Sequence, residues 1–250
     1  MKKLGRLPRS FNPAVKTMKA FFQHATLPPA PLMVDNTRGV KQWGMMLNDR
    51  LGDCTCAGIF HARQVWTNFL GGENTQPDAE VLKLYEAACG YRPGDESTDN
   101  GGIEQNVLRY CMNEGVPLAD GTTDKFLGFA EVNHTKLDEV KLAIAEFGLA
   151  YIGFQVPQSI YDANGEPRPV WNYTLNSPIE GGHCVILVGY NNVGFQLISW
   201  GEIYTMSYSF FQRYCDEVYA IVSKDWIAAT GKTPLGMSLA DLEALMKELR

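Results

Sequence analysis

Charged residues are sparse in this sequence, and the positive ones form no cluster. Only 20% of the 250 residues are charged, with 22 Lys and Arg against 28 Asp and Glu, which gives a formal net charge of −6. No basic block occurs beyond Lys2 and Lys3. Because proteins bind phosphate backbones through clustered Lys and Arg, this composition argues against nucleic acid as the main partner.

Long apolar runs and a secretory leader are also missing. No stretch approaches the roughly 18 consecutive apolar residues of a membrane-spanning helix, so we expect no membrane partner. The lysines near the start are not followed by the apolar core of a signal peptide. The six cysteines are therefore expected to be reduced thiols. The sequence predicts a protein of the cytoplasm or another reducing compartment, or of a virion if it is encoded by a phage.

The cysteines do not have the spacing of a metal site. Cys54 and Cys56 lie close together, but no second Cys or His pair is placed to complete four ligands. The hydrophobic content of 45% is that of an ordinary globular protein. We expect neither a metal nor another cofactor.

Proline content and hydrophobic periodicity divide the chain into four parts. Five prolines punctuate residues 1–45, which are expected to form an extended segment on the body. Helical patterns dominate residues 46–125, and β-branched and aromatic runs dominate residues 126–225. A capping box and spaced leucines predict an amphipathic helix within residues 226–250. A helical half followed by a mostly β half predicts one α+β domain with two lobes.

Cys54 and His183 are the candidate reactive pair. Cys54 follows Asp53, a residue type that caps helices, so the thiol is expected at a helix N-terminus, where the helix dipole favours the thiolate. His183 follows two glycines and opens an apolar strand. A thiolate with an imidazole base can attack a carbonyl group. Asn48 and the Cys54 N–H are candidates for stabilising the resulting oxyanion.

Two other residues compete for these roles. Cys56 lies about 200° around the predicted helix from Cys54, and His61 lies roughly 10.5 Å farther along it. Neither position places a second reactive group at hydrogen-bond distance from Cys54, so we expect both to have packing roles. The alternative interpretation of the pair itself is a small buried cysteine and a core histidine.

The surroundings of this pair resemble the papain-like cysteine peptidases. Cys54 stands in a segment similar to the family's Gly-Ser-Cys-Trp-Ala motif, and Asn48 stands where the family has its oxyanion-hole glutamine. The similar segments follow the family's order: Met33-Val34-Asp35, Gly52-Asp53-Cys54-Thr55-Cys56-Ala57, Asn100-Gly101-Gly102, Gly182-His183-Cys184-Val185 and Ser199-Trp200-Gly201. The resemblance implies a papain-like two-lobed fold, with a helical N-terminal lobe, an antiparallel β C-terminal lobe and the active cleft between them. It also implies a peptide or protein substrate that binds at Gly101, Gly102 and Trp200.

The chain departs from the family pattern at three places. The asparagine that orients the histidine falls on Ile198, which accepts no hydrogen bond, and Ser199 is the candidate substitute. Without an orienting partner the imidazole loses tautomer control, so activity is expected to fall. Leu51 and Asp99 replace two cysteines that secreted members join in a disulfide. The N-terminal extension is short for the family's inhibitory propeptide, which implies that the protein needs no silencing or has little activity to silence.

The sequence leaves three functions open. The slightly favoured one is a cysteine peptidase or amidase, with Cys54 as nucleophile and His183 as base and then acid. The second is a degenerate scaffold with a binding or structural role, associated with a phage or virion, which the Ile198 substitution motivates. The third is acyl transfer to another acceptor, as in transglutaminase-like enzymes, for which Glu202 is the nearest acid. The sequence specifies neither the substrate side chains nor the oligomeric state.

Overall fold

The computed structural model describes residues 2–13, 15–21, 28–231 and 240. Its helices are α1 Met18–Phe21, α2 Cys54–Phe69, α3 Asp78–Cys89, α4 Glu104–Asn113, α5 Leu137–Phe147, α6 Tyr208–Tyr214 and α7 Lys224–Thr230. Its strands are β1 Val34–Asp35, β2 Val116–Pro117, β3 Thr123–Asp124, β4 Gly128–Glu131, β5 Ala150–Pro157, β6 Val170–Trp171, β7 Ile179–Tyr190, β8 Gly194–Ser199, β9 Glu202–Ser207 and β10 Cys215–Val222. Of the amphipathic helix predicted near the C-terminus, residues 238–250 lie outside the described part except for Ala240.

One eight-stranded sheet organises the fold. Its strands follow the order β4-β10-β5-β7-β8-β9-β6, and β1 pairs with β7. The pairs are antiparallel except for β6 with β9, while β2 and β3 form a separate small sheet. The long strand β7 is held by β5 on one side and β8 on the other. His183 lies in the early part of β7, where it pairs with Phe154 of β5, before the pairing with β8 begins at Ile186.

Alternation along β7 separates two apolar cores. Cys184, Ile186 and Val188 contribute to a core that contains residues of α2, α3 and α4. Val185 and Leu187 contribute to the other core, with residues of α5 and α6. Helices therefore pack on both sides of a largely antiparallel sheet, and the predicted α+β fold class is confirmed.

Helix α2 runs through the interior of the fold. Its side chains are buried on all sides from Cys54 to Thr67, as expected for a helix enclosed by other elements. Asp53 is its N-cap residue, but the Asp53 side chain makes no capping hydrogen bond. Neither α2 nor any other helix of the described ranges is long and apolar enough to cross a membrane.

Candidate active site

Helix α2 and strand β7 bring the two candidate residues to the same interface. Cys54 is the first residue of α2, and its buried sulfur lies near the backbone N–H groups of Cys184 and Gly5, which lower the pKa of the thiol. Cys184 directly follows His183 in the chain. The sulfur therefore lies beside the backbone of the residue next to the candidate base.

The Cys54 thiol is protonated in this structure. Burial raises its pKa to about 12, the nearby Asp53 and Glu104 carboxyl groups raise it further, and the two backbone N–H groups oppose the rise. The expectation that the helix N-terminus would favour the thiolate is not met in this conformation. A dipole effect of roughly 1 kcal/mol is smaller than the cost of burying a charge.

His183 is buried at the start of the apolar part of β7, and its two ring nitrogens differ. Nε2 lies 2.7 Å from Ser199 Oγ, while Nδ1 has no hydrogen-bond partner among the described residues. Burial lowers the pKa of His183 to about 3, and His61 contributes to the shift. The imidazole is therefore neutral, with one nitrogen held and the other available.

Strand alternation explains why Ser199, and not Ile198, reaches the histidine. Successive side chains of β8 point to opposite faces, and Ile198 packs in the core that contains α2. Beyond Ser199, Trp200 and Gly201 turn the chain with φ of +48° and +78°. Positive φ at both central residues is typical of a type I′ hairpin turn. A positive φ is a costly backbone conformation for a tryptophan. In this conformation the Trp200 ring stacks on the His183 ring, with the centroids 4.5 Å apart and the planes 13° from parallel.

The side chains of Trp200 and Asn48 are both buried, so neither lies on the exposed surface of the cleft. Trp200 is buried and covers the His183 ring, and its substrate-binding role stays a prediction. The Asn48 side-chain nitrogen donates to Leu51 O at 3.3 Å and Asp53 Oδ1 at 3.2 Å. These bonds use both amide hydrogens, so the predicted oxyanion role requires one of them to be released. Burial raises the pKa of Asp53 well above its usual value.

The chain's own N-terminal residues fill the space next to Cys54. We call residues 4–7 the cleft segment. Arg6 N donates to Gly182 O at 3.1 Å, Leu7 N donates to Gly102 O at 2.9 Å, and Gly102 N donates to Gly5 O at 2.8 Å. The segment is therefore extended and paired through its backbone with both walls of the cleft. The N-terminal extension, although short for a propeptide of the family, therefore occupies the space beside Cys54.

Glycines on the cleft walls make this close pairing possible. A Cβ at Gly101 would come within 1.9 Å of Gly5 O, and a Cβ at Gly182 within 2.5 Å of Arg6 O. Gly101 also has a φ of +79°, which side-chain-bearing residues rarely adopt. The two glycines predicted to bind a peptide substrate, Gly101 and Gly102, thus contact or pair with the chain's own backbone.

The Asp99 carboxylate links the loop that precedes Cys54 to the loop that contains Gly101. Asp99 Oδ1 accepts hydrogen bonds from Gly52 N at 2.9 Å and from the Tyr85 hydroxyl at 2.6 Å. The Tyr85 oxygen in turn accepts the N–H of Gly101 at 2.9 Å. Asp99 stands at one of the two positions where secreted papain-like enzymes have the disulfide cysteines. This network joins the two loops here, and in the described part of the chain all six cysteines are free.

The competing residues lie where packing roles place them. His61 is buried, and its Nε2 lies 2.7 Å from Gly44 O. Cys56 is buried with its sulfur 4.0 Å from that of Cys89. Glu202, the acid considered for a transferase, is exposed at the start of β9, and the hydrogen bond on His183 Nε2 is to Ser199. No contact of Glu202 supports the transferase alternative.

Sequence reasoning missed the residues that hold the cleft segment. Arg6 is ion-paired with Glu104, Asp216 and Glu217, yet none of these four residues was predicted to belong to the site. Their separation along the chain explains the omission, because Arg6 and Glu217 lie 211 positions apart. The available signal was an arginine between other basic residues, Lys2, Lys3 and Arg9, which is weak by itself.

Comparison with known proteins supports the fold. The sequence matches no family model and no curated protein sequence. The structure is similar to xylellain, a cysteine protease from Xylella fastidiosa, with a TM-score of 0.69, 17% identity and coverage of 89% of this chain and 98% of that one. It is similar to the Carica candamarcensis cysteine protease CMS1MS2 in complex with E-64 (TM-score 0.57, 16% identity, coverage 77% and 99%). It is also similar to procathepsin B S9 from Trypanosoma congolense (0.60, 12%, 89% and 87%).

These similarities confirm the predicted resemblance at the level of the fold. All three structures are papain-like cysteine proteases, and two of them are covered over more than nine tenths of their length. The chain has the papain-like fold, which provides a peptidase-type scaffold.

The histidine pKa values lead to a direct spectroscopic prediction. Because burial lowers the pKa of His183 to about 3 and of His61 to about 4, both rings should be neutral at pH 5 in the intact chain. A free histidine is mostly protonated at that pH. Two-dimensional ¹H–¹⁵N NMR of the imidazole nitrogens measures this, with His61→Gln and His183→Gln for assignment. Protonation of His183 near pH 6 would contradict the buried site.

Proposed function

We propose that this protein is a cysteine-type peptidase or amidase, and that the described conformation is its closed form. One observation carries the proposal. The cleft binds an extended polypeptide, its own residues 4–7, through backbone bonds to Gly102 and Gly182 and with Gly5 against the Cys54 sulfur. A cleft that binds extended backbone beside a thiol is suited to a peptide substrate.

The reaction uses the groups that surround this peptide. His183 Nδ1 accepts the Cys54 proton, because Nε2 keeps its hydrogen and donates it to Ser199 Oγ. The thiolate forms a bond to the scissile carbonyl carbon, and the imidazolium gives its proton to the amine as the C–N bond breaks. Water, deprotonated by His183, then hydrolyses the thioester and restores the thiol. The Cys54 N–H, with a released Asn48 amide, stabilises the oxyanion.

The cleft segment itself is not cleaved because of the orientation of its backbone relative to the Cys54 sulfur. Gly5 meets the sulfur through its N–H, while its carbonyl oxygen accepts the Gly102 N–H at 2.8 Å. Attack requires the carbonyl carbon at roughly 3–3.5 Å and aligned with the nucleophile. The segment therefore blocks the site as an inhibitor that is not a substrate.

A degenerate scaffold is the second candidate, and the buried thiol favours it. In that case Cys54 keeps its raised pKa even when the cleft is open, and the cleft binds a partner without cleaving it. The two functions differ in the behaviour of Cys54 once residues 4–7 have been released.

The proposed function is tested with Arg6→Glu, a variant designed to expel the cleft segment, assayed on fluorescently labelled casein. We expect hydrolysis by this variant and none after the added change Cys54→Ala, because the proposed reaction requires the Cys54 thiolate as nucleophile. Cys56→Ala is the matched control, since it removes the neighbouring buried thiol and should leave hydrolysis intact. Activity that survives Cys54→Ala would overturn the assignment. A reactive Cys54 without hydrolysis would favour the scaffold.

A further inference from the structure

The Arg6 side chain occupies a pocket of three carboxylates on the cleft wall. Its Nε donates to Glu217 Oε1 at 2.9 Å and lies 3.2 Å from Glu104 Oε1, while Nη1 donates to Asp216 Oδ2 at 3.2 Å. The side chains of Arg6, Glu104 and Glu217 are 2%, 0% and 0% exposed, whereas Asp216 is 42% exposed. The pocket thus has a buried acidic floor and an acidic residue at its rim.

A bulge in β10 allows two consecutive acidic residues to face the same guanidinium. The pairing of β10 with β5 shifts register between Cys215 and Glu217, so Asp216 is the additional residue. Neighbouring side chains of a regular strand point to opposite faces, and a bulge changes that direction. Both Asp216 and Glu217 therefore reach Arg6.

The pocket floor is held by further hydrogen bonds. Glu217 Oε2 accepts the Tyr219 hydroxyl at 2.7 Å, and the Tyr219 oxygen accepts Gln105 Nε2 at 2.9 Å. Neither oxygen of the fully buried Glu104 has a hydrogen-bond donor of ordinary geometry in the described residues, and Oε1 is directed at the guanidinium. The Glu217 carboxylate, fixed in this way on β10, is positioned before any ligand binds.

The space for the guanidinium depends on a glycine in β5. A Cβ at Gly153 would come within 2.1 Å of Arg6 Nε and 2.3 Å of Glu104 Oε1. Although burial alone would lower it, the pKa of Arg6 is raised by the carboxylates of Glu104, Glu217 and Asp216. The charge and the shape of the pocket thus both suit a guanidinium.

We propose that this pocket selects an arginine side chain of the peptide substrate once the cleft segment has left. The inference rests on the proposed function and names its substrate class. Burial and the neighbouring Glu217 raise the pKa of Glu104 well above its usual range, so departure of Arg6 leaves an acidic pocket whose buried carboxyl groups ionise more readily when a new cation enters beside them. Contacts to Nε and to both terminal nitrogens fit the planar arginine fork better than the single ammonium of lysine.

The test uses Arg6→Gln, which removes the guanidinium from the pocket, leaves its acidic groups in place and keeps a side chain of moderate length at position 6. A series of fluorogenic peptides carries Arg, Lys, Leu or the neutral arginine isostere citrulline at each position in turn. At one position we expect kcat/KM to be about 100-fold higher for Arg than for citrulline, because a buried charge-assisted pair is lost. Adding Glu217→Gln should lower the ratio of kcat/KM for the Arg peptide to that for the Leu peptide about 30-fold.

A binding measurement separates this inference from the peptidase assignment. Calorimetry of Arg6→Gln/Cys54→Ala with a free peptide of residues 3–9, and with its citrulline-6 form, requires no catalysis. Tighter binding of the arginine form, together with no hydrolysis of any peptide by Arg6→Gln, would support the arginine pocket and overturn the peptidase assignment. Hydrolysis without an arginine preference would keep the peptidase and overturn the pocket. If Arg6→Gln does not fold, faster Cys54 alkylation in Glu217→Gln of the otherwise intact chain supports the pocket, and an unchanged rate contradicts it.

Discussion

Replacing Arg6 by Glu is expected to raise the rate of Cys54 alkylation by iodoacetamide at pH 7 by about three orders of magnitude. In the closed form the pKa of the thiol is about 12, so the reactive thiolate is scarce at every pH below that value. A solvated thiol with a pKa near 8.5 is about a thousandfold more ionised at pH 7. A fourth carboxylate placed among Glu104, Asp216 and Glu217 repels the segment and admits water to Cys54.

Mass spectrometry locates the adduct, so labelling of the other five cysteines does not interfere. Arg38→Ala is the matched control, because it also removes an arginine ion pair near the N-terminus, with Asp35, and leaves the cleft segment in place. It should react as slowly as the unchanged chain. Fast labelling of the unchanged chain at pH 7, or equally slow labelling of Arg6→Glu, would contradict the closed form.

The parts of this molecule that the sequence predicts are those that depend on neighbouring residues. A helix that begins at Cys54 is predicted from the capping residue type before it and from the helical pattern that follows, and a strand is predicted from the apolar run after His183; both are observed. The order of the motifs was sufficient to predict the papain-like fold. Secondary structure of this kind depends on local periodicity, which one sequence displays directly.

The chemical state of the site was harder to predict, because burial outweighs the local signal. A helix N-terminus is visible in the sequence and favours the Cys54 thiolate. Its effect is smaller than the desolvation that results when Gly5 and Gly182 close over the site, and this desolvation depends on contacts between distant parts of the chain. The sequence identified the residues and could not show that the N-terminal segment covers them.

The partner of His183 illustrates a one-residue ambiguity. Matching the family's motif places its asparagine on Ile198, but a shift of one position along a strand exchanges the two faces of the sheet. Only the pairing of β8 with β7 decides which side chain meets the imidazole. That pairing places Ser199 Oγ 2.7 Å from Nε2, so the serine takes the position that the motif assigns to an asparagine.

Ser199→Ala, in the Arg6→Glu background, is therefore expected to lower kcat about 10²- to 10⁴-fold, the contribution of a correctly positioned general base, because the histidine loses the partner that fixes its tautomer. In the proposed reaction Ser199 is a positioning residue, since it contacts His183 Nε2 and acts through it. Its loss frees the ring to place its hydrogen on Nδ1, which can then no longer accept the Cys54 proton. Steady-state kinetics measures the effect, and imidazole ¹⁵N shifts report the change of tautomer.

Two further variants make this expectation specific. Ser199→Asn should restore much of kcat, because its amide oxygen can accept the Nε2 hydrogen. Ile198→Asn should leave the imidazole shifts unchanged and lower the stability to unfolding by about 1–3 kcal/mol, the cost of an unsatisfied buried amide, because Ile198 packs in the core beside α2. Thermal unfolding measures that loss. An Ile198→Asn variant that is stable and more active would instead assign the orienting position to residue 198, and the hydrogen bond to Ser199 would then have no catalytic role.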